Sequence, residues 1–164
     1  MIDQVPEKLN IASIYKFNSS LSKLEFYISS LCSSIQTPRP AEETDIAMIG
    51  NKIELLPIHD PQTAEKRLLE LLDIAEEAKN RPLPLFPHAS FAFATSKKKK
   101  KEAACNAFSG DLYTKGDLQT MPLLKHFFSP ENFDTPAFFQ EFEKLARIVY
   151  APWFNEEKTE SDEI

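Results

Sequence analysis

The chain has 164 residues, of which 42% are hydrophobic and 27% charged, values typical of one globular domain with a real core. Its formal net charge of -6 argues against a stand-alone nucleic-acid-binding protein, because such proteins usually carry a basic excess. It has only three glycines, and neither a Walker A sequence nor a GxGxxG motif, so we expect no nucleotide site.

The first part of the sequence predicts a strand, a helix and a hairpin. Residues 9–17 place apolar side chains at alternate positions and are rich in residues that favour β-structure, so they predict a strand. Ser19 or Ser20 then caps a helix. Residues 45–49 and 52–56 flank Gly50-Asn51, a pair typical of a type II′ turn. In this register Met48 opposes Ile53, Ile46 opposes Leu55, and all four share one face. The apolar stripe predicted for the helix is Leu21, Leu24, Ile28, Leu31 and Ile35.

The remaining elements are predicted to be helices. Asp60-Pro61 starts a helix that continues to Lys79 or Asn80, before a segment with three prolines. A short aromatic segment with Phe91 and Phe93 follows, and a lysine run opens or precedes a helix that Gly110 ends. Residues 111–122 read as a loop with weak structure. A last helix starts at Asp134-Thr135-Pro136. The residues expected to face inward are Leu68, Leu71, Leu72, Ala75 and Ala78 in the first of these helices, and Phe138, Phe142, Leu145, Ala146 and Val149 in the last.

These elements predict an α+β protein, rich in helices, with a small mixed sheet that includes the hairpin. A sheet of about three strands is more typical of part of a larger sheet than of a complete fold. We expect one domain over residues 1–154 and an acidic, frayed tail over residues 155–164.

Three features of the sequence indicate where in the cell the protein is expected. No apolar run is long enough to span a bilayer, and the first nine residues lack a basic segment followed by an apolar one. Cys32 and Cys105 are too few for a disulfide framework and suit buried free thiols. We therefore expect a cytoplasmic protein without membrane contact.

Three pieces of residues 64–153 are similar to sequences of one known family. The first is the helix from Leu71 to Ala75 followed by Arg81-Pro82-Leu83-Pro84-Leu85-Phe86-Pro87 and Ser90-Phe91-Ala92-Phe93, similar to a proline-punctuated family sequence. The second, Lys101 to Asp111, is similar to an Ala-rich helix that ends in a glycine turn. The third, Phe139 to Trp153, is similar to the family's final helix. In their order and spacing, these three pieces resemble the end of the gamma chain of exodeoxyribonuclease V (RecC). Residues 1–47 match only by the order of elements.

The resemblance implies a subunit of a heterotrimeric helicase-nuclease that processes double-stranded DNA ends in repair and recombination. Its partners would be the beta and alpha chains, which use ATP and magnesium. The last domain of the gamma chain resembles a PD-(D/E)xK restriction-endonuclease-like fold that has lost its active site. The resemblance thus predicts a non-catalytic module of an ATP-dependent exodeoxyribonuclease and helicase, with no catalytic, cofactor or metal residues of its own.

The alternative is an independently active, magnesium-dependent nuclease or DNA-binding domain. Cleavage in that fold needs carboxylates on adjacent strands, one of them two residues before a lysine. In Ile14-Tyr15-Lys16, an isoleucine stands where the acid should be. Glu77-Ala78-Lys79 falls on a helix, and Glu156-Glu157-Lys158 falls on the tail. His59, His88 and His126 lack the spacing of a metal site.

Five consecutive lysines are the candidate site for contact with DNA phosphates: Lys97, Lys98, Lys99, Lys100 and Lys101. The alternative interpretation is a solvated loop or helix start. The hairpin tip at Gly50-Asn51 is a weaker candidate for contact with DNA or a sister subunit. The aromatic residues near the end are expected to lie mostly in the core, with some on a subunit-facing patch: Phe127, Phe128, Phe133, Phe138, Phe139, Trp153 and Phe154.

Overall fold

The computed structural model describes the backbone of residues 11–15, 19–40 and 43–154, and the side chains from residue 19 onward within these ranges. The chain divides into two compact units, residues 1–75 and residues 76–164. Two compact units can belong to one domain, so the single domain over residues 1–154 stays a prediction. The predicted acidic tail over residues 155–164 lies outside the described residues.

The first unit contains a mixed three-stranded sheet. Its elements are β1 (Ile11–Tyr15), α1 (Ser20–Gln36), β2 (Thr44–Ile49), β3 (Lys52–Pro57) and most of α2 (Pro61–Ala78). The strand order is β1-β2-β3, with β1 parallel to β2 and β2 antiparallel to β3. Helices therefore dominate a small mixed sheet, which confirms the predicted α+β class.

The hairpin of β2 and β3 forms in the predicted register. Met48 pairs with Ile53 and Ile46 pairs with Leu55. Gly50 has a φ of 62°, whereas Asn51 is not among the residues with positive φ, and this combination fits type II′ rather than type I′. The face that these four apolar residues share is largely exposed, since Met48, Ile53 and Leu55 are between 39% and 65% accessible. The opposite face, with Ala47, Ile49 and Leu56, is the buried one.

The helix α1 begins as predicted but buries a different face. Ser19 is its N-cap and accepts a hydrogen bond from the backbone N–H of Ser22. Of the predicted stripe only Leu31 is buried, and Leu21 and Ile28 are exposed, so the predicted face is wrong. The large aromatic side chains of Phe26 and Tyr27 are buried on this face. Lys23, Ser30 and Ser34 on the same face find partners inside the unit. The buried face consists of Ser20, Lys23, Phe26, Tyr27, Ser30, Leu31 and Ser34.

The start and end of α2 match the sequence pattern, whereas its inward face does not. Asp60 Oδ1 accepts hydrogen bonds from the backbone N–H groups of Gln62 and Thr63, at 3.1 and 3.0 Å. The buried residues are Ala64 and Ile74. Leu68 and Leu71 are half-buried, but the other residues predicted to be buried are exposed: Leu72, Ala75 and Ala78. Helical spacing from Ala64 through Leu68 and Leu71 to Ile74 defines the inward face, and Leu72 lies to one side of it. Ala75 and Ala78 fall on the same stripe by spacing but are exposed.

The second unit is helical in the residues that the structure describes. It contains α3 (Pro87–Thr95), α4 (Lys100–Ser109), α5 (Asp117–Thr120) and α6 (Pro136–Val149), with 3-10 turns at Pro122–His126, Pro130–Asp134 and Ala151–Trp153. The aromatic segment is thus the helix α3. Gly110 ends α4 with a φ of 77°, as the sequence predicts.

Phenylalanine rings form the core of the second unit. Phe86 is fully buried, and its ring centroid lies 4.5 Å from that of Phe108. The ring centroids of Phe133 and Phe142 lie 5.1 Å apart. On α6 the buried residues are those predicted, except that Phe138 is half-buried: Phe142, Leu145, Ala146 and Val149. None of the described helices is long and apolar enough to cross a membrane.

Candidate functional site

The lysine run lies at the start of α4. Lys97 and Lys98 form a bend, Lys99 has the left-handed backbone conformation (φ 53°) and Lys100 is the first residue of the helix. A helix N-terminus presents unpaired backbone N–H groups and attracts anions. The sequence prediction that the lysines open or precede a helix is therefore confirmed, and the run combines cationic side chains with N–H donors.

Three of the five lysines already have partners in the second unit. Lys99 Nζ lies 3.0 Å from Glu102 Oε2, and Lys101 Nζ lies 2.8 Å from Asp134 Oδ1. Lys100 Nζ lies 5.7 Å from the centroid of the Phe154 ring, within range of a cation–π interaction. By contrast, Lys97 and Lys98 form no ion pair with any described residue, and both are exposed. Lys97 and Lys98 are thus the two lysines of the run with neither an ion pair nor a ring contact among the described residues.

A buried carboxylate caps the N-terminus of α3. The N-cap position of this helix is Phe86, whose side chain cannot accept a hydrogen bond. Asp117 lies 28 residues from Ala89 in the chain and is 0% exposed, and it accepts the backbone N–H groups of His88 at 3.0 Å and Ala89 at 2.8 Å. Burial raises the pKa of Asp117, while these two hydrogen bonds act to lower it. Sequence reasoning missed this residue because no local pattern links it to α3.

His88 connects this cap to a surface cavity. Its Nδ1 atom lies 3.1 Å from Oδ1 of Asp117, a distance suited to an ion pair when the imidazole is protonated. His88 also lines a cavity of about 250 Å³, together with residues at the end of α4 and in the loop before α5. The sequence showed of His88 only that it lacks the spacing of a metal site. The structure places it between a buried acid and an accessible cavity.

Two carboxylates in the first unit share the buried face of the hairpin. Asp45 on β2 and Glu54 on β3 lie on adjacent strands, with Glu54 opposite Ala47. Asp45 Oδ2 accepts a hydrogen bond of 2.5 Å from Ser30 Oγ, and Asp45 Oδ1 lies 2.8 Å from Arg39 Nη1. Both acids therefore lie on the side of the sheet that α1 covers.

The second carboxylate of this face is paired with a buried lysine. Glu54 forms an ion pair with Lys23, whose side chain is only 8% exposed. Burial lowers the pKa of Lys23, and the charge of Lys52 lowers it further. Each of the two acids on this face therefore already has a cation beside it, Arg39 for Asp45 and Lys23 for Glu54. The alternation along β2 that buries Asp45 also buries Ala47 and Ile49. The sequence therefore already contained the pattern that places Asp45 on a buried face.

The other residues considered for nuclease chemistry do not converge. Ile14 lies on β1 and pairs with Met48, whereas Lys16 lies outside the described residues, as does the acidic pattern at residues 156–158. Glu77 and Lys79 belong to separate surface pairs, with Arg81 and Glu76. Among the described side chains no group of three or more His, Cys, Asp or Glu residues has the arrangement of a metal site.

A family model described as the RecC C-terminal domain matches the chain over residues 12–98. This range is slightly more than half of the chain and includes nearly all of the sheet, α1, α2, α3 and the proline-punctuated segment. The first piece of the sequence resemblance lies inside it, whereas the second and third lie beyond residue 98. The match also covers most of the region before residue 47, where the sequence suggested similarity only in the order of elements. No curated protein matches the chain.

Proposed function

The chain belongs to the family of RecC C-terminal domains, and from this membership we propose that it is a non-catalytic module of the gamma subunit of exodeoxyribonuclease V. In this role it supports the assembly of the gamma subunit with the beta and alpha chains and helps to guide double-stranded DNA ends in repair and recombination. The observation that carries the proposal is the family match over residues 12–98. ATP and magnesium would serve the partner chains.

The pairing of Asp45 and Glu54 supports a module without chemistry of its own. Each carboxylate already has a cation beside it, Arg39 for Asp45 and Lys23 for Glu54. Binding a divalent metal between these acids would require both pairs to break and would leave two cations without their partners inside the unit. Removing one partner of a buried pair is costly, so this face favours packing over metal binding.

Lys97 and Lys98 support the part of the proposal that concerns DNA. Both side chains are exposed and without an ion pair among the described residues, and they precede the N-terminus of α4. Such lysines bind phosphate without regard to base sequence, which suits the guidance of DNA ends. The net charge of -6 does not oppose a local contact of this kind, because exposed charges more than about 10 Å apart are largely screened at moderate salt.

Assembly can be tested by pull-down. The full gamma subunit, with and without this segment, is used to capture the beta and alpha chains from a mixture of the purified proteins. We expect the truncated subunit to capture less of at least one partner while its remaining domains stay folded, as judged by circular dichroism. Capture of both partners at full yield would contradict the proposal.

An active nuclease is the second candidate, because Asp45 and Glu54 lie on adjacent strands and share a face. Its test is degradation of end-labelled DNA by the purified chain in the presence of magnesium, with Asp45→Asn and Glu54→Gln as the matched variants. We expect no degradation above the level of either variant. Magnesium-dependent cleavage that both substitutions abolish would favour the nuclease instead.

A further inference from the structure

One aromatic ring in the second unit carries cations from two helices. Lys100 is the first residue of α4, and its Nζ atom lies 5.7 Å from the centroid of the Phe154 ring. Arg147 lies in the last turn of α6, and its Cζ atom is 4.8 Å from the same centroid. Both distances are within the range of a cation–π interaction. The ring of Phe154 therefore joins the lysine run to the end of α6.

The ring of Phe154 is itself held by the core. It is half-buried and packs against the phenylalanine core of the unit. Its centroid lies 5.7 Å from that of Phe93, at an interplanar angle of 68°, which is a favoured edge-to-face arrangement. Phe93 is only 3% exposed. A cation that lies over the Phe154 ring is thus held at a defined position on the unit.

A ring contact leaves the charge of a cation available, whereas an ion pair cancels it. Lys100 forms no ion pair with a described residue, in contrast to Lys99 and Lys101. Arg147 donates to Glu143 Oε1 from Nε at 3.0 Å and from Nη2 at 2.8 Å, and its Nη1 atom donates to no described acceptor. An ammonium has three N–H donors and a guanidinium has five, so both cations keep donors for an anion.

This part of the unit is basic although the chain as a whole is acidic. The lysine run and Arg147 supply six cations, and three carboxylates are paired with them: Glu102, Asp134 and Glu143. The remaining positive charge contrasts with the net charge of -6 of the chain. A local excess of cations on an acidic protein is complementary to a polyanion.

We propose that Phe154 positions Lys100 and Arg147 to bind the phosphate backbone of DNA together with Lys97 and Lys98. The contact then spans the start of α4 and the end of α6 instead of the lysine run alone. This inference rests on the proposed function, which supplies DNA as the ligand. Phe154 is a positioning residue, because its ring acts through the two cations. Cations that are already ordered lose less conformational freedom when they bind.

The test is fluorescence anisotropy of a labelled DNA duplex titrated with the full chain at several salt concentrations. We expect Phe154→Leu to weaken binding about threefold, the value of one exposed cation–π interaction, and Phe154→Tyr, which keeps the ring, to change it less than about twofold. Lys100→Ala with Arg147→Ala should lower the slope of log affinity against log salt by about 1 to 2. Adding Phe154→Leu to this double variant should cause no further loss, because the ring then has no cation to position.

The position of Lys100 can be measured without DNA. Protons over the face of an aromatic ring are shielded by its ring current, so the Hε resonances of Lys100 should lie upfield in the NMR spectrum of the chain. They should return to ordinary lysine values in Phe154→Leu and remain upfield in Phe154→Tyr. Resonances that are the same in all three proteins would contradict the positioning role.

Controls separate positioning from general charge and from misfolding. Lys125→Ala removes an exposed lysine that has neither an ion pair nor a ring contact among the described residues, and it should change the affinity less than about twofold. Thermal melting should show that each variant is folded at the assay temperature. If Phe154→Leu weakens binding equally with and without the two cations, the ring acts through the fold and the inference is wrong.

The remaining outcomes distinguish this inference from the proposed function. If Lys97→Ala with Lys98→Ala weakens binding but Lys100→Ala with Arg147→Ala does not, the inference fails and the proposed contact at the lysine run stands. If the unsubstituted chain binds no DNA at any salt concentration, both fail. If the variants bind DNA normally but a gamma subunit that carries them captures less of a partner chain, the basic surface serves a protein interface and the inference is wrong.

Discussion

Asp117 shows how a single buried carboxylate can organise a helix that is distant in sequence. It serves as the cap that Phe86 cannot provide, and it accepts two of the N–H groups that would otherwise remain unpaired at the start of α3. Its charged form is nevertheless costly, because burial raises its pKa. The same residue therefore stabilises α3 through hydrogen bonds and carries a desolvation cost that depends on pH.

For Asp117→Ala we expect a loss of about 2 kcal/mol in the free energy of unfolding, because the cap is removed and the N–H groups of His88 and Ala89 stay buried. Asp117→Asn keeps one acceptor and should lose less. Urea unfolding of the three proteins at neutral pH measures both differences. Equal stabilities of the unsubstituted chain and the alanine variant would show that the carboxylate does not act as a cap.

The pH dependence of the same residue has a definite sign. Since the pKa of Asp117 is raised in the folded state, the stability linked to its protonation is fully present below the ordinary aspartate pKa of about 4 and is lost as the pH rises through the raised value. The stability of the chain relative to Asp117→Asn should therefore fall between about pH 4 and the raised folded-state pKa. Urea unfolding of both proteins across this range measures it, and a difference that grows with pH would contradict the assignment.

At the scale of elements, the sequence predicted where helices begin and end better than which faces they bury. The start of α2 at Asp60-Pro61 and the end of α4 at Gly110 depend on neighbouring residues alone, and both are found as predicted. The inward face of α1 depends on what the sheet presents to it. Because β2 and β3 direct Asp45 and Glu54 inward, α1 turns Lys23 and Ser30 toward them and leaves Leu21 exposed.

The same limit applies to the candidate sites. Five adjacent lysines are visible in the sequence as a run of charge, but the carboxylates and rings that engage three of them are visible only in the fold, among them Asp134 and Phe154. The cavity lined by His88 combines residues from the start of α3, the end of α4 and the loop before α5. No spacing rule brings such residues together, so this cavity could not be predicted from sequence.

The pair of Lys23 and Glu54 joins α1 to β3 and offers a test of how these elements pack. Lys23→Met should lower the free energy of unfolding by about 2 to 4 kcal/mol, because Glu54 would lose its partner inside the unit. The double variant Lys23→Met, Glu54→Met should recover most of this loss, since no charge is left unpaired there. Lys66→Met, at an exposed position of α2, is the control and should change stability by less than about 0.5 kcal/mol. Additive losses in the double variant would show that the two residues act independently.

At the scale of the whole molecule, net charge and local charge oppose each other. The chain carries -6 overall, and only two of the five lysines in the run lack both an ion pair and a cation–π contact among the described residues. If contact with DNA phosphates requires lysines that are not already paired with an acid, then removing Lys97 and Lys98 should reduce the affinity for DNA more than removing Lys99 and Lys101. Both double substitutions remove the same charge. If only the overall field matters, the two pairs should be equivalent.

This difference can be measured with two variants that remove the same charge. In the proposed assembly with the beta and alpha chains, Lys97→Ala with Lys98→Ala should lower the slope of log affinity for DNA ends against log salt by about 1 to 2, the value for one or two phosphate contacts. Lys99→Ala with Lys101→Ala should lower it by less than 1, because Glu102 and Asp134 already neutralise these lysines. Since both variants change the net charge equally, long-range attraction cancels in the comparison. Equal slopes would assign the effect to net charge, and the lysine run would then have no direct contact with DNA.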